Sequence, residues 1–180
     1  ANYKTGYFSK LVGKNGDEKI GAAGEPLATD NLVLDDDKDF VAYEPFAAKA
    51  ASYSRTVEGT TWATLCLPFE VSLQNQNFRA FKLLSADEGT ETVELEEIEG
   101  SIAAGTPVII KMKDGATKLS ISEADKEIAN EVKTAETADA NYKLQGLYTQ
   151  KMFSKDTDNN CYIVKGDKLM NPAKLLDKTT

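Results

Sequence analysis

Acidic side chains supply most of the chemistry this sequence could perform. Glu94, Glu96, Glu97 and Glu99 fall in one short run. If that run is a strand, Glu94 and Glu96 share a face about 7 Å apart. Two carboxylates at such a separation are the equipment of a glycoside hydrolase. Nothing around them sets their pKa values apart, and acidic edge strands commonly guard against aggregation, so a protective edge is the preferred reading. Asp156-Thr157-Asp158-Asn159-Asn160 offers oxygens from Asp156, Asp158 and Asn160 at alternate positions, as the first half of a calcium loop does. The glycine and distal glutamate of an EF-hand do not follow, so a solvated turn is the simpler account. Asp35-Asp36-Asp37-Lys38-Asp39 is a second acidic turn of the same kind. Calcium is the one cofactor these loops suggest; otherwise none is expected.

Histidine is absent from all 180 residues. That removes His-based general bases, Ser-His-Asp and Cys-His nucleophiles, and His-containing zinc sites. Any enzyme here must work with carboxylates, Lys, Tyr or a Ser-Lys pair, and the chain is expected not to be an enzyme. For binding, aromatic rings are the natural platforms for a sugar. Trp62, the only Trp, and Tyr43, Tyr148 and Tyr162 are the candidates. The structural alternative for Trp62, a core aromatic facing the opposite sheet, is preferred because aromatics dominate buried area. Arg55 could hold an acidic sugar or a carboxylate through its fork. The preferred reading is that it pairs with a nearby Asp or Glu or lies over a ring. Cys66 and Cys161 both sit in apolar strands. They read either as a disulfide, worth several kcal/mol through its long loop, or as small buried hydrophobes.

The elements that must position these groups are strands. Tyr53, Arg55 and Val57 alternate with Ser52, Ser54 and Thr56, and Trp62 to Phe69 alternates likewise, the two joined by Glu58-Gly59-Thr60. A period of two over such lengths means pleated strand. Leu32–Leu34, Phe78–Leu84, Thr92–Glu96, Val108–Met112, Lys118–Ile121, Tyr142–Tyr148 and Cys161–Val164 read as further short strands separated by turn residues. Phe40–Phe46 reads as an edge strand because of Pro45. Residues 123–134 are ambiguous. Ser122 and Asp125 resemble a capping box, and Ala124, Ile128 and Val132 recur at helical spacing, so one short helix is the alternative to strand there. The expected architecture is a single all-β domain over 1–180, a two-sheet antiparallel β-sandwich. A peripheral N-terminal hairpin occupies 1–30, turning near Asn15-Gly16.

A net charge of −8 and a pI near 4.7 argue against nucleic acid and anionic membranes as partners. No apolar run approaches the ~20 residues of a membrane span.

Tyr53-Ser54-Arg55-Thr56, followed by Trp62-Ala63-Thr64-Leu65-Cys66-Leu67-Pro68-Phe69, resembles a domain of secreted proteins of gut-dwelling anaerobic bacteria. That domain is found toward the C-terminal end of leucine-rich-repeat surface proteins and adhesin-like proteins. Asn31–Asp35, Asp39-Phe40 and Phe46 match its earlier part. Ala104-Gly105-Thr106-Pro107 through Lys111 resembles its Ala-Gly-Thr-Pro lead into a strand. Leu144–Tyr148 with Cys161–Val164 is similar to its late hairpin. The likeness runs over residues 31–170. It departs in lacking the family's final Pro-Phe-Arg-Ala-Tyr strand and in the helical look of 124–135. It implies secretion or a cell-surface location, membership of a longer surface protein, and an adhesive or interaction role toward a surface glycan or protein. A carbohydrate-binding module is the alternative, and a carboxylate-dependent glycosidase a more distant one. The resemblance brings no catalytic residues with it.

Overall fold

The structure, a computed structural model, describes residues 11–13, 27–36, 40, 42, 45–57, 61–137, 139–148, 162–165 and 167–170. Among these the chain forms strands and no helix. They are β1 (Leu11–Gly13), β2 (Leu27–Thr29), β3 (Leu32–Leu34), β4 (Phe46–Thr56) and β5 (Trp62–Leu65). Then come β6 (Val71–Ser72), β7 (Phe78–Asp87), β8 (Thr92–Glu97), β9 (Ser101–Ile102) and β10 (Val108–Met112). The last are β11 (Lys118–Ile128), β12 (Thr134–Glu136), β13 (Lys143–Gln145), β14 (Ile163–Lys165) and β15 (Lys168–Met170).

Two sheets form the sandwich. The first is built on β4, which pairs antiparallel with β11 along its whole length. On its other side β4 takes β2 and then β3, both parallel to it, and β1 adds antiparallel to β2. This sheet is therefore mixed rather than wholly antiparallel as the sequence pattern suggests. The second sheet runs β5-β10-β7-β8, every pair antiparallel. Three two-stranded ribbons, β6-β9, β12-β13 and β14-β15, complete the described part.

Alternation explains which side chains meet between the sheets. From the first sheet come Leu32, Leu34, Phe46, Ala48, Ala51, Tyr53, Leu119, Ile121 and Ile128; from the second come Ala63, Leu65, Phe78, Ala80, Val108, Ile110 and Met112. Phe69 and Val71, on the segment leaving β5, fill the same core. Burying a side chain of the size of Phe69 or Ile110 stabilises by about 1.5–3 kcal/mol. Exposed ion pairs typically contribute no more than about 1 kcal/mol each. The inter-sheet core, not surface charge, holds the fold.

Two expectations change. The strands flanking residues 58–60 do not share a sheet: β4 belongs to the first and β5 to the second, so the chain crosses the sandwich there. And residues 123–134 are not helical. β11 extends through Ile128, paired with β4 as far as Phe46. The helical look arises from a slip in the pleat. Leu119, Ile121 and Glu123 turn inward, and then, one residue out of phase, Lys126 and Ile128. β4 slips at the same level, from Ala48 to Ala51, so register is kept while the phase changes. Asp125 sits at the slip with φ 53°. This left-handed conformation is one that Asp tolerates better than most residues.

Candidate functional site

On β7, Phe78 and Ala80 point into the core, so Arg79 and Phe81 point out of the sandwich. β10 and β5 obey the same rule. Register places Lys111 opposite both Arg79 and Trp62, and Ile109 opposite Phe81 and Thr64. The outer face of the second sheet thus carries a packed row. The Trp62 and Phe81 rings meet at 5.4 Å between centroids, tilted by 51°. Lys111 Nζ lies 5.2 Å from the Trp62 centroid, and the Arg79 guanidinium 5.2 Å from that of Phe81. Each cation covers one ring, an arrangement worth about 0.5–1 kcal/mol where solvent reaches it. Trp62 is half-buried in this row rather than lodged between the sheets, which corrects the expectation of a core aromatic.

Arg79 is fixed a second time. Its Nε and Nη2 donate to the two carboxylate oxygens of Glu97, at 2.8 and 2.6 Å. These bonds hold the Glu97 carboxyl below its usual range and raise the guanidinium pKa. The pair stands on the rim of a cleft of about 470 Å³. This opens where the chain leaves β8 through Ile98-Glu99-Gly100 on its way to β9. Leu73 and Ile98 supply its apolar side chains; Ser72, Gln74, Glu99 and Lys113 join Arg79 and Glu97 in its polar part. Lys113 Nζ donates to the Gln76 carbonyl at 3.1 Å.

The carboxylates considered for catalysis are dispersed among other partners. Glu96 pairs with Lys82 at 2.7 Å, Glu94 accepts from the Ser85 hydroxyl at 3.0 Å, and Glu97 is taken by Arg79. Only Glu97 and Glu99 share the cleft.

Arg55 has a different setting. Its Nη1 donates to the Thr64 carbonyl of the other sheet at 2.9 Å, and its Nε lies 3.4 Å from Asp36. The Tyr53 hydroxyl donates to the same Asp36 carboxylate at 2.6 Å. Burial, and then Asp36, raises the Tyr53 pKa. Asp36, from the acidic turn after β3, is therefore engaged by two side chains of β4.

Tyr148 packs edge-on against Phe40, with centroids 5.4 Å apart, and its hydroxyl donates to the Glu131 carbonyl at 3.4 Å, so it is part of the core's margin. Cys66 is a free thiol. It donates to the Gly105 carbonyl, and burial pushes its pKa up to about 11. Gly146 lies so close over Cys66 Sγ that a Cβ there could not fit. Gly105 is needed for a related reason: with φ 74°, its Cβ would fall 2.8 Å from the Glu131 carbonyl oxygen. Tyr162 is 46% exposed, and its hydroxyl donates to Glu88 at 3.2 Å. Tyr43, Asp156, Asp158, Asn160 and Cys161 lie outside the described residues.

Sequence reasoning missed Arg79, Phe81, Lys111 and Lys113. The Phe-Arg-Ala-Phe alternation signals that Arg79 and Phe81 share a face, but only the register shows what they face. Among the described residues no helix is long and apolar enough to cross a membrane. The fold and outer face define an all-β sandwich with a cation-capped aromatic row beside a polar cleft. Compared with known proteins, the chain matches no protein family, no curated protein and no solved structure.

Proposed function

We propose that the chain is a non-catalytic extracellular interaction or adhesion module of a secreted bacterial surface protein, with its ligand meeting the outer face of the second sheet. One observation carries the reading: Trp62, Lys111, Arg79 and Glu97 are held in fixed register on paired strands, the first two half-buried and the last two exposed. Side chains immobilised before a partner arrives lower the ordering cost of binding. The resemblance of the Trp62–Phe69 block to domains of bacterial surface proteins supports the same role and the extracellular setting. A protein or glycan displayed on a surface is the expected partner.

Carbohydrate binding is the second reading. Tyr162 favours it, an exposed ring whose hydroxyl is already oriented by Glu88. The test is direct binding of the purified domain to a glycan array and to whole cells, with calcium and with chelator. Specific binding to either, weakened by Trp62→Ala and Lys111→Met, supports the module. Chelator-sensitive binding would bring in the Asp156–Asn160 loop. Hydrolysis of a bound glycan, abolished by Glu97→Gln or Glu99→Gln, would replace the reading with a glycosidase.

A further inference from the structure

We infer that the cleft beside Arg79 is a binding site for an uncharged, hydroxyl-rich ligand, a neutral oligosaccharide. This inference rests on the interaction reading above and names the ligand class and the place. The first argument is charge. The chain carries −8 overall, yet the cleft is lined by two cations, Arg79 and Lys113, and two carboxylates, Glu97 and Glu99. An anionic ligand would meet both carboxylates, and the charge of Arg79 is already matched by its two-pronged bond to Glu97. A cationic ligand would meet Arg79 and Lys113. A neutral polyol meets neither obstacle, because each hydroxyl donates and accepts. Carboxylate oxygens and Ser72 take its protons, while guanidinium, ammonium and the Gln74 amide donate to its oxygens.

The second argument is order. Arg79 is held by the Phe81 ring and by Glu97, and Lys113 by the Gln76 carbonyl. Two of the five guanidinium N–H groups go to Glu97, which leaves donors for a ligand. The third is shape. About 470 Å³ lies within the usual 300–1,000 Å³ of small-ligand sites. Half-buried Leu73 and Ile98 give it an apolar side for the C–H face of a sugar ring.

The experiment measures binding of free neutral oligosaccharides (gluco-, manno-, galacto- and xylo-configured), of neutral glycans carried on a glycoprotein, and of sialylated and sulfated glycans. Neutral glycans should bind, with affinity at least tenfold weaker in Arg79→Met and Glu97→Met and several-fold weaker in Glu99→Gln and Lys113→Met. Glu99 and Lys113 stand outside the Arg79–Glu97 ion pair, so they test the site without breaking that pair. Lys82→Met, which breaks an ion pair outside the cleft, should leave binding unchanged. Binding of the free sugars means the cleft reads the sugar itself; binding only on the glycoprotein means it reads the glycan in its displayed setting. Selectivity for acidic glycans, loss of binding on Tyr162→Ala but not in the cleft variants, or binding to proteins alone would overturn the inference and leave the interaction role standing. Absence of binding to any glycan, protein or cell would overturn both.

Discussion

The chain has two arginines, and they invite comparison. Arg55 on β4 and Arg79 on β7 each lie in an alternating strand, near an aromatic residue and beside a carboxylate. Arg55 is the more enclosed, with its side chain 30% exposed against 44% for Arg79. It also reaches across the sandwich to the Thr64 carbonyl, and its carboxylate serves a buried tyrosine. Arg79 binds its partner with better fork geometry, yet in water, on an outer face, where an ion pair contributes little to folding. The first cluster joins elements; the second presents a surface. Identical side-chain chemistry ties elements together or faces solvent according to the side of the sheet it lies on.

Four outcomes would sharpen or break that contrast. Asp36→Ala should have the largest effect. It leaves the Tyr53 hydroxyl without its acceptor and strips the carboxylate from Arg55, and should cost about 2–3 kcal/mol in urea unfolding. A loss within experimental error would show that Asp36 is no hub.

The alkaline limb comes next. Because the folded state raises the Tyr53 pKa, folded protein keeps a phenol proton that the unfolded chain releases near pH 10. Stability from this source is fully present below about pH 10 and falls as pH rises beyond it, by up to about 1.4 kcal/mol per pH unit. Tyr148 is shifted in the same direction, so the informative quantity is the difference between wild type and Tyr53→Phe. An equal alkaline slope in both would remove Tyr53 from the account.

Arg55→Met should cost about 1–2 kcal/mol, since it removes the bond to Thr64 while keeping an apolar stem. Arg79→Met should change the unfolding midpoint least of the four. Any stability that Glu97 adds is present above about pH 4.5 and disappears as acid protonates it, because Arg79 holds that carboxyl low. A thermal midpoint lowered as much by Arg79→Met as by Arg55→Met would erase the distinction between the two sites.

Much of the sandwich can be read from alternation alone. Ala50–Val57, Trp62–Leu65 and Phe78–Ala80 alternate, Val108–Met112 is a short apolar run, and their inward residues build the core. What cannot be read is partnership. β4 and β5 follow each other in sequence yet lie in opposite sheets, because either strand can bury its apolar side against any complementary face. The parallel docking of β2 and β3 on β4 involves only three-residue strands, too short for a pattern. The 123–134 segment misled for a definable reason. Ala124 and Ile128 have helical spacing, and the slip at Asp125 breaks the strand period between them, leaving Ala124 outward and Ile128 inward. For the site, the acidic run around Glu97 was visible, but its partner was not. Register, which local sequence specifies poorly, decides that Arg79 rather than Lys82 takes Glu97.

Asp167 accepts hydrogen bonds from the backbone N–H groups of Thr61 and Trp62, at 2.6 and 2.7 Å, across 106 and 105 residues of chain. As the polypeptide emerges from the ribosome, the opening residues of β5 must wait until residue 167 has followed. Contacts so remote in sequence slow folding, because a long loop must close before they form. The edge bearing Trp62 is therefore among the last parts of the described structure to be completed. A nascent chain cut short of Asp167 would present that edge with two backbone donors unanswered.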